Sequence, residues 1–271
     1  MSESDMLTTL RGLRIACVIP TLNRRELLIS FIKNYVVKCT IPTDLVVVDN
    51  SPDEFHLIEP ECFELVQGTP HTLKSLAPHI GRGVGKSRAY GVDYVLKNTA
   101  HEFIINADDD AIIGNECIER LVAAAYQEPK FGYVGSAGNY LSFWRDFDSR
   151  SVKFYMNLGI VWCLSRSMLN VCGNFDTELS LREDVEMGLR SWANGFYTVA
   201  VWAPVVHKRS NPDFASGNDK WLESNSYIKA KYGDMITTTS NGQIRQNKKV
   251  FRYPDITYTV DDDLVLSKSA S

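Results

Sequence analysis

The six cysteines, at positions 17, 39, 62, 117, 163 and 172, include no C-x-x-C pair. That absence removes a zinc ribbon and a disulfide framework. Cys17 and Cys163 lie inside apolar runs and read as core residues. No apolar run approaches the roughly 20 residues that a membrane-spanning helix needs. Met1 to Leu10 is polar and acidic, unlike a secretory leader. A cytoplasmic, reduced protein without a transmembrane segment is therefore expected. The chain also lacks the positive excess of a general nucleic-acid binder, since its net charge is -4. No internal repeat is found. Its 271 residues suffice for one sizeable core with an accessory tail.

What charge there is lies unevenly. From Val205 to Arg252 nine Lys or Arg face four acids. Such a stretch suits phosphate contacts, and equally a solvated surface.

The densest chemistry is the triplet Asp108-Asp109-Asp110, at the end of the apolar run Phe103-Ile104-Ile105. Along an extended chain residues two apart point to the same side, so Asp108 and Asp110 converge while Asp109 faces away and supports the turn. Two hard oxygen donors on one side suit Mg2+ or Mn2+ together with the phosphates of a nucleotide. The same residues also suit a solvated acidic turn or a cap on the next helix.

Around the triplet, strand-like and helical runs alternate. Ile15–Ile19, Leu45–Val48, Phe63–Val66 and Phe103–Ala107 read as strands; Glu26–Val37, Lys86–Leu96 and Glu116–Tyr126 read as helices. This alternation predicts an α/β fold with a mostly parallel central sheet flanked by helices. Later segments continue it, with strands at Tyr133–Leu141, Ile160–Leu164 and Phe196–Ala203, helices at Ser180–Ala193 and Asn218–Lys231, and a loop over Ser142–Lys153. Ligands of such sheets bind beyond the carboxyl ends of the strands. Polar residues stand there: Thr21-Asn23-Arg24, Asp49-Asn50-Ser51 and Asp108-Asp110.

Other segments need weighing. Gly81-Arg82-Gly83-Val84-Gly85-Lys86-Ser87 is not a P-loop, because Ile80 stands where the first glycine belongs. It reads as a glycine-rich lead-in to a helix whose N–H groups, with Arg82, Lys86 and Arg88, can face an anion, or as a flexible loop with solvated cations. Ser180-x-x-Glu183 fits a capping box, which leaves Asp184 as the candidate general base. His207 suits a third metal ligand beside carboxylates, and Lys208-Arg209 suit a diphosphate. Trp144, in a loop, and Trp162, in an apolar run, are candidates for stacking on a sugar or base, and also for packing.

In order, these motifs resemble the GT-A fold glycosyltransferases, especially their family 2. The carriers are Val18 to Arg24 (V-I-P-T-x-N-R), Val47 to Ser51 (V-V-D-N-S), Gly83 to Arg88, Asp108 to Asp110 (D-x-D), Gly173-Asn174-Phe175-Asp176 with Leu179, Glu183-Asp184-Val185 with Arg190, and the late His207. Ala89 departs from the asparagine usual after Arg88. The resemblance runs from about Ile15 to Arg209.

It implies a metal-dependent enzyme that moves a sugar from a nucleotide-sugar, usually UDP-linked, to a hydroxyl. The donor side would be Pro20, Thr21, Asn23, Arg24, Asp49, Asn50, Ser51, Arg82, Lys86, Arg88, Asp108, Asp109, Glu183, Lys208 and Arg209. Asp108, Asp110 and His207 would hold Mn2+ or Mg2+; Asp184 would take the acceptor proton, with inversion; Trp144 and Trp162 would meet the acceptor. The expected layout is an N-terminal extension over 1–13, a main domain over 14–210 and a basic appendage over 211–271. Within the main domain, 14–110 is the nucleotide half and 111–210 the acceptor half. The acceptor is a glycan or small hydroxylated molecule. Transfer to hydroxymethylated DNA bases, and a silent module that only binds nucleotide-sugars, are the alternatives.

Overall fold

The computed structural model describes residues 3–51, 55–78, 80, 83–137, 151–154, 160–179, 181–208, 219–238, 244–247, 250 and 256–270. In chain order the first half comprises α1 (Glu3–Arg11), β1 (Ile15–Thr21), α2 (Arg25–Lys38), β2 (Asp44–Asp49), α3 (Phe55–Val66), β3 (Thr72–Leu76), α4 (Val84–Asn98), β4 (Phe103–Ala107), β5 (Ala111–Ile113) and α5 (Cys117–Gln127). Then come β6 (Phe131–Ser136), β7 (Ser151–Phe154), β8 (Val161–Ser165), α6 (Arg166–Cys172), α7 (Glu183–Ala193), β9 (Tyr197–Val201), β10 (Val205–His207) and α8 (Asp219–Tyr232). A single 3-10 turn, Gly233–Met235, leads to β11 (Ile236–Thr238), β12 (Ile244–Gln246), β13 (Ile256–Val260) and β14 (Leu266–Ala270).

One ten-stranded sheet, in the order β14-β13-β7-β9-β6-β8-β4-β1-β2-β3, runs through the molecule. Its β4-β1-β2-β3 side is parallel throughout, and β6 and β9 are parallel to each other. β8 runs antiparallel between β4 and β6, so the sheet is mixed across its centre.

Both faces of the sheet are covered. Cys17 and Ile19 of β1 pack with Met6, Phe31, Tyr35 and Leu121 from α1, α2 and α5. Ala16 and Val18 pack on the other face with Val92 and Met187 from α4 and α7. A strand buried on both sides reads as an unbroken apolar run, which is what β1 shows. Gly91 lets α4 lie directly on the strands: a Cβ there would sit 2.5 Å from Val18 and 2.8 Å from Val48.

Two sequence expectations change. Phe63–Val66 is not a strand but the last turn of α3, and the third parallel strand is Thr72–Leu76, paired with β2 from Asp44↔Thr72 to Val48↔Leu76. The stretch expected as an appendage contributes to the main sheet. There β13 pairs with β7 through Tyr258↔Val152, and the Tyr258 ring lies 4.9 Å from that of Phe131. Gln127 of α5 ties the tail down, donating to the Leu264 carbonyl at 2.7 Å and accepting from Leu266 N at 2.9 Å. Among the described residues no helix is long and apolar enough to cross a membrane.

Candidate active site

Because β1, β2 and β4 are parallel and adjacent, their carboxyl ends meet at one edge. The turn after β4 carries the three aspartates there. Asp108 and Asp110 turn to one side, not through the period of an extended chain but through a turn that Ala111 N closes by donating to Asp108 O at 3.1 Å. Asp109 turns towards β1. It accepts from Thr21 Oγ1 at 2.6 Å and from Arg24 Nη1 at 3.0 Å. The same Arg24 nitrogen reaches Asp110 at 3.2 Å. Asp109 is thus buried and bonded to β1 and to Arg24. Burial raises its carboxyl, and Thr21 and Arg24 oppose that rise.

A two-stranded ribbon completes the cluster. β5 pairs antiparallel with β10, in a register that sets His207 opposite Ala111. Lys208 N donates to Asp110 O at 2.9 Å and closes the ribbon. His207 Nε2 consequently lies 2.9 Å from Asp110 Oδ1. Ligand atoms of Asp108, Asp110 and His207 all fall within 4.8 Å of one another.

This donor set fits Mn2+ or Mg2+. Cis ligands of an octahedral ion bound at about 2.1 Å lie about 3 Å apart, close to the His207–Asp110 spacing. Burial raises the Asp108 carboxyl to about 6; Arg88 pulls it down, and the like charge of Asp110 adds to the rise. Converging carboxylates with that strain are relieved by a cation.

Beneath the cluster sits Arg88, on the second turn of α4. The residue is only 4% exposed. It bridges Asp108 and Glu183 through separate nitrogens and stacks 4.5 Å above the Trp162 ring centroid. Gly85 makes the approach possible, since a Cβ there would press on Leu179 O at 3.2 Å and Glu183 Cβ at 3.3 Å. Two sequence expectations are corrected here. Arg88 does not face an anion from solvent; it is an internal bracket between the triplet and α7. Trp162 is fully buried as the floor under that bracket, so it cannot meet an acceptor.

Glu183 is likewise turned inward to Arg88, and the N-cap of α7 is Arg182. Ser180, the other half of the expected capping box, lies outside the described residues, as do Arg82, Trp144 and Arg209. Asp184 is half-buried, and its Oδ1 accepts from Val185 N at 2.8 Å.

The profile of glycosyl transferase family 2 matches residues 16–170, more than half of the chain. The chain belongs to glycosyl transferase family 2. No curated protein sequence matches it. The solved structures it resembles agree on the fold. One is the mannosyltransferase PcManGT from Pyrobaculum calidifontis in complex with GDP-Man and Mn2+, with TM-score 0.62 and 17% identity over 82% of this chain and 65% of that one. S. aureus TarS 1-349 in complex with UDP-GlcNAc gives TM-score 0.57 and 16% identity over 81% of this chain and 66% of that one. S. aureus TarS itself gives 0.56 and 15% over 81% of this chain and 39% of that one. The chain thus spans less than two thirds of each of these proteins. The fold is GT-A, as the motifs implied.

In this family 2 chain the second strand end is held to the first. Asn50 N donates to Thr21 O at 3.1 Å, and Asn23 N donates to Ser51 Oγ. Asp49 is buried, with Oδ1 accepting from Ser51 N at 2.7 Å. Pro20 is buried in β1, while Asn23, Lys86 and Lys208 are exposed and Arg24 is half-buried. The sequence reading missed Ser87. It is buried beside Arg88 and accepts from Asn50 Nδ2 at 2.8 Å, so it fastens α4 to the second strand end. Its place inside the glycine-rich lead-in was the available signal.

Proposed function

We propose that the protein is a metal-dependent glycosyltransferase that moves a hexose from a UDP-linked donor to an acceptor hydroxyl, with inversion at the anomeric carbon. The observation that carries this is the Asp108–Asp110–His207 cluster at the strand ends of a family 2 chain. The fold neighbours solved with UDP-GlcNAc and with GDP-Man and Mn2+ support it.

Asp108, Asp110 and His207 would hold Mn2+ or Mg2+, which when bound offsets the charge of the leaving diphosphate. The exposed Lys86 and Lys208 border the same edge and suit the phosphates. Asp49, Asn50 and Ser51 border the nucleoside. Of the two acids that open α7, Glu183 is committed to Arg88, whereas Asp184 is half-buried and faces no cation in an ion pair among the described residues. Asp184 is therefore the base. It takes the acceptor proton as that oxygen bonds to the anomeric carbon. The bond from that carbon to the diphosphate breaks, and UDP departs with the electron pair.

The test is release of UDP from a panel of UDP-hexoses with Mn2+. At least one sugar is released by the wild type, and EDTA stops it. No release from any sugar nucleotide, GDP-linked donors included, refutes the reading.

A further inference from the structure

The middle aspartate of the triplet is bonded through both of its oxygens. Asp109 Oδ2 accepts from Thr21 Oγ1 at 2.6 Å, and Oδ1 accepts from Arg24 Nη1 at 3.0 Å. The Asp109 side chain is 4% exposed, whereas that of Arg24 is 28% exposed. The pair thus joins a buried anion to a cation that reaches solvent.

Arg24 uses a single nitrogen in these contacts. Nη1 donates to Asp109 and also to Asp110 Oδ2, at 3.2 Å. Nη2 and Nε are attached to the same carbon and make no hydrogen bond or ion pair among the described residues. They stand at the rim of the Asp108–Asp110–His207 cluster with their donors unused.

Helix energetics do not explain the residue. Arg24 is the N-cap of α2 and makes no side-chain capping bond there. Ser, Asp or Asn would cap better, and a cation at this end of a helix opposes its dipole. Nor does pairing with Asp109 require an arginine, since one lysine nitrogen can pair with a carboxylate. A guanidinium is accounted for when its remaining N–H groups have a ligand of their own.

We infer that Arg24 binds the diphosphate of the donor, and that Asp109 is the positioning residue that holds it for that task. The inference rests on the nucleotide-sugar reading above. Asp109, fixed from the other side by Thr21, keeps Nη1 in place. Arg24 and a cation ligated by Asp110 repel each other across that carboxylate, so Arg24 keeps Asp109 and gives up Asp110. Nη2 and Nε then donate to phosphate oxygens, the planar fork that suits them. Neither residue gains or loses a covalent bond.

The test is calorimetry on the full chain, with Mn2+ alone and then with UDP at saturating Mn2+. Arg24→Met moves the two affinities in opposite directions. Mn2+ alone binds about two- to fivefold tighter, because a cation has left Asp110. UDP binds weaker by about tenfold or more, the worth of a charge-assisted hydrogen bond. Arg24→Lys tests the same point if Arg24→Met does not fold. It keeps a cation on Asp109 and the wild-type urea midpoint, and still loses about tenfold in UDP affinity. Asp109→Asn lowers UDP affinity about fivefold or more in the wild type and less than about twofold beside Arg24→Met, as residues acting through one contact require. Arg25→Met, which removes a neighbouring cation paired with Glu26 and Glu61, is the control and changes neither affinity beyond about twofold.

A loss of both affinities together in Arg24→Met, with UDP binding restored in Arg24→Lys, makes Arg24 a structural support and overturns the inference. So does an unchanged UDP affinity in either variant, or an Asp109→Asn loss that is the same with and without Arg24. A UDP loss in Arg25→Met as large as in Arg24→Met reduces the effect to net charge and overturns it too. Wild type that binds no UDP with Mn2+ refutes the nucleotide-sugar reading and this inference with it. UDP binding that ignores Arg24 leaves that reading standing and refutes this inference alone.

Discussion

His207 Nε2 lies 2.9 Å from Asp110 Oδ1 because β10 folds back on β5, the short strand that follows the aspartates. The contact joins the end of the aspartate triplet to a histidine almost a hundred positions later. If the pair shares an ion, His207→Ala weakens Mn2+ binding at least as much as the loss of an outer-shell partner does, about 10- to 100-fold. Isothermal titration with Mn2+ alone measures it. Unchanged affinity removes His207 from the ligand set.

Arg88 is expected to be the most costly single substitution near the site. Arg88→Met leaves Asp108 and Glu183 without their shared cation in a buried setting, a loss of about 3–5 kcal/mol. Urea unfolding reads it as a lower midpoint. Arg88→Lys restores the charge but not the fork that reaches two carboxylates at once, so it remains well below wild type. An unfolding free energy within about 1 kcal/mol of wild type for Arg88→Met, by the same kind of estimate, contradicts the bracket.

Asp184 and Glu183 stand next to each other and are expected to fail differently. Asp184→Asn lowers kcat by about 10^2- to 10^4-fold, the usual worth of a positioned base, with UDP affinity within twofold of wild type. Glu183→Gln acts first on stability, through Arg88. Transfer that survives Asp184→Asn means the base is elsewhere. The anomeric configuration of the product, read by NMR, checks inversion independently.

His71 gives a pH dependence remote from the site. It is buried beside Tyr35, with Nε2 donating to Cys39 O at 3.2 Å. Burial lowers its pKa, and the Cys39 carbonyl only partly offsets this. The folded state thus resists a proton that the unfolded chain accepts near pH 6.5. The contribution is fully present above that pH and is lost as pH falls below it. The stability of wild type relative to His71→Gln should decline between pH 7.5 and pH 5.5. A constant difference across that range contradicts the account.

Much of the parallel side of the sheet was legible in the sequence. The apolar runs of β1, β2 and β4 end in polar residues, and only a parallel sheet brings those ends together. The misread segment is instructive. Phe63–Val66 is too short for its period to separate strand from helix, and Pro60 inside α3 obscured the helical pattern upstream. The true strand, Thr72–Leu76, is at the sheet edge and only partly buried, so it carries little apolar signal. Arg88 was misjudged for another reason. Whether a cation is solvated or buried depends on what lies under it, and here that is Trp162 of β8. No local pattern near Arg88 announces such a partner.

The most direct test of the central claim, a nucleotide site organised by a metal on Asp108, Asp110 and His207, is calorimetric titration of UDP into the full chain with and without Mn2+, repeated on Asp110→Ala. The account predicts tight UDP binding only with Mn2+ in the wild type, and at least a tenfold loss of that metal-dependent affinity in the variant, by the ligand-loss scale used above. Equal UDP affinity with and without Mn2+ in the wild type would contradict it.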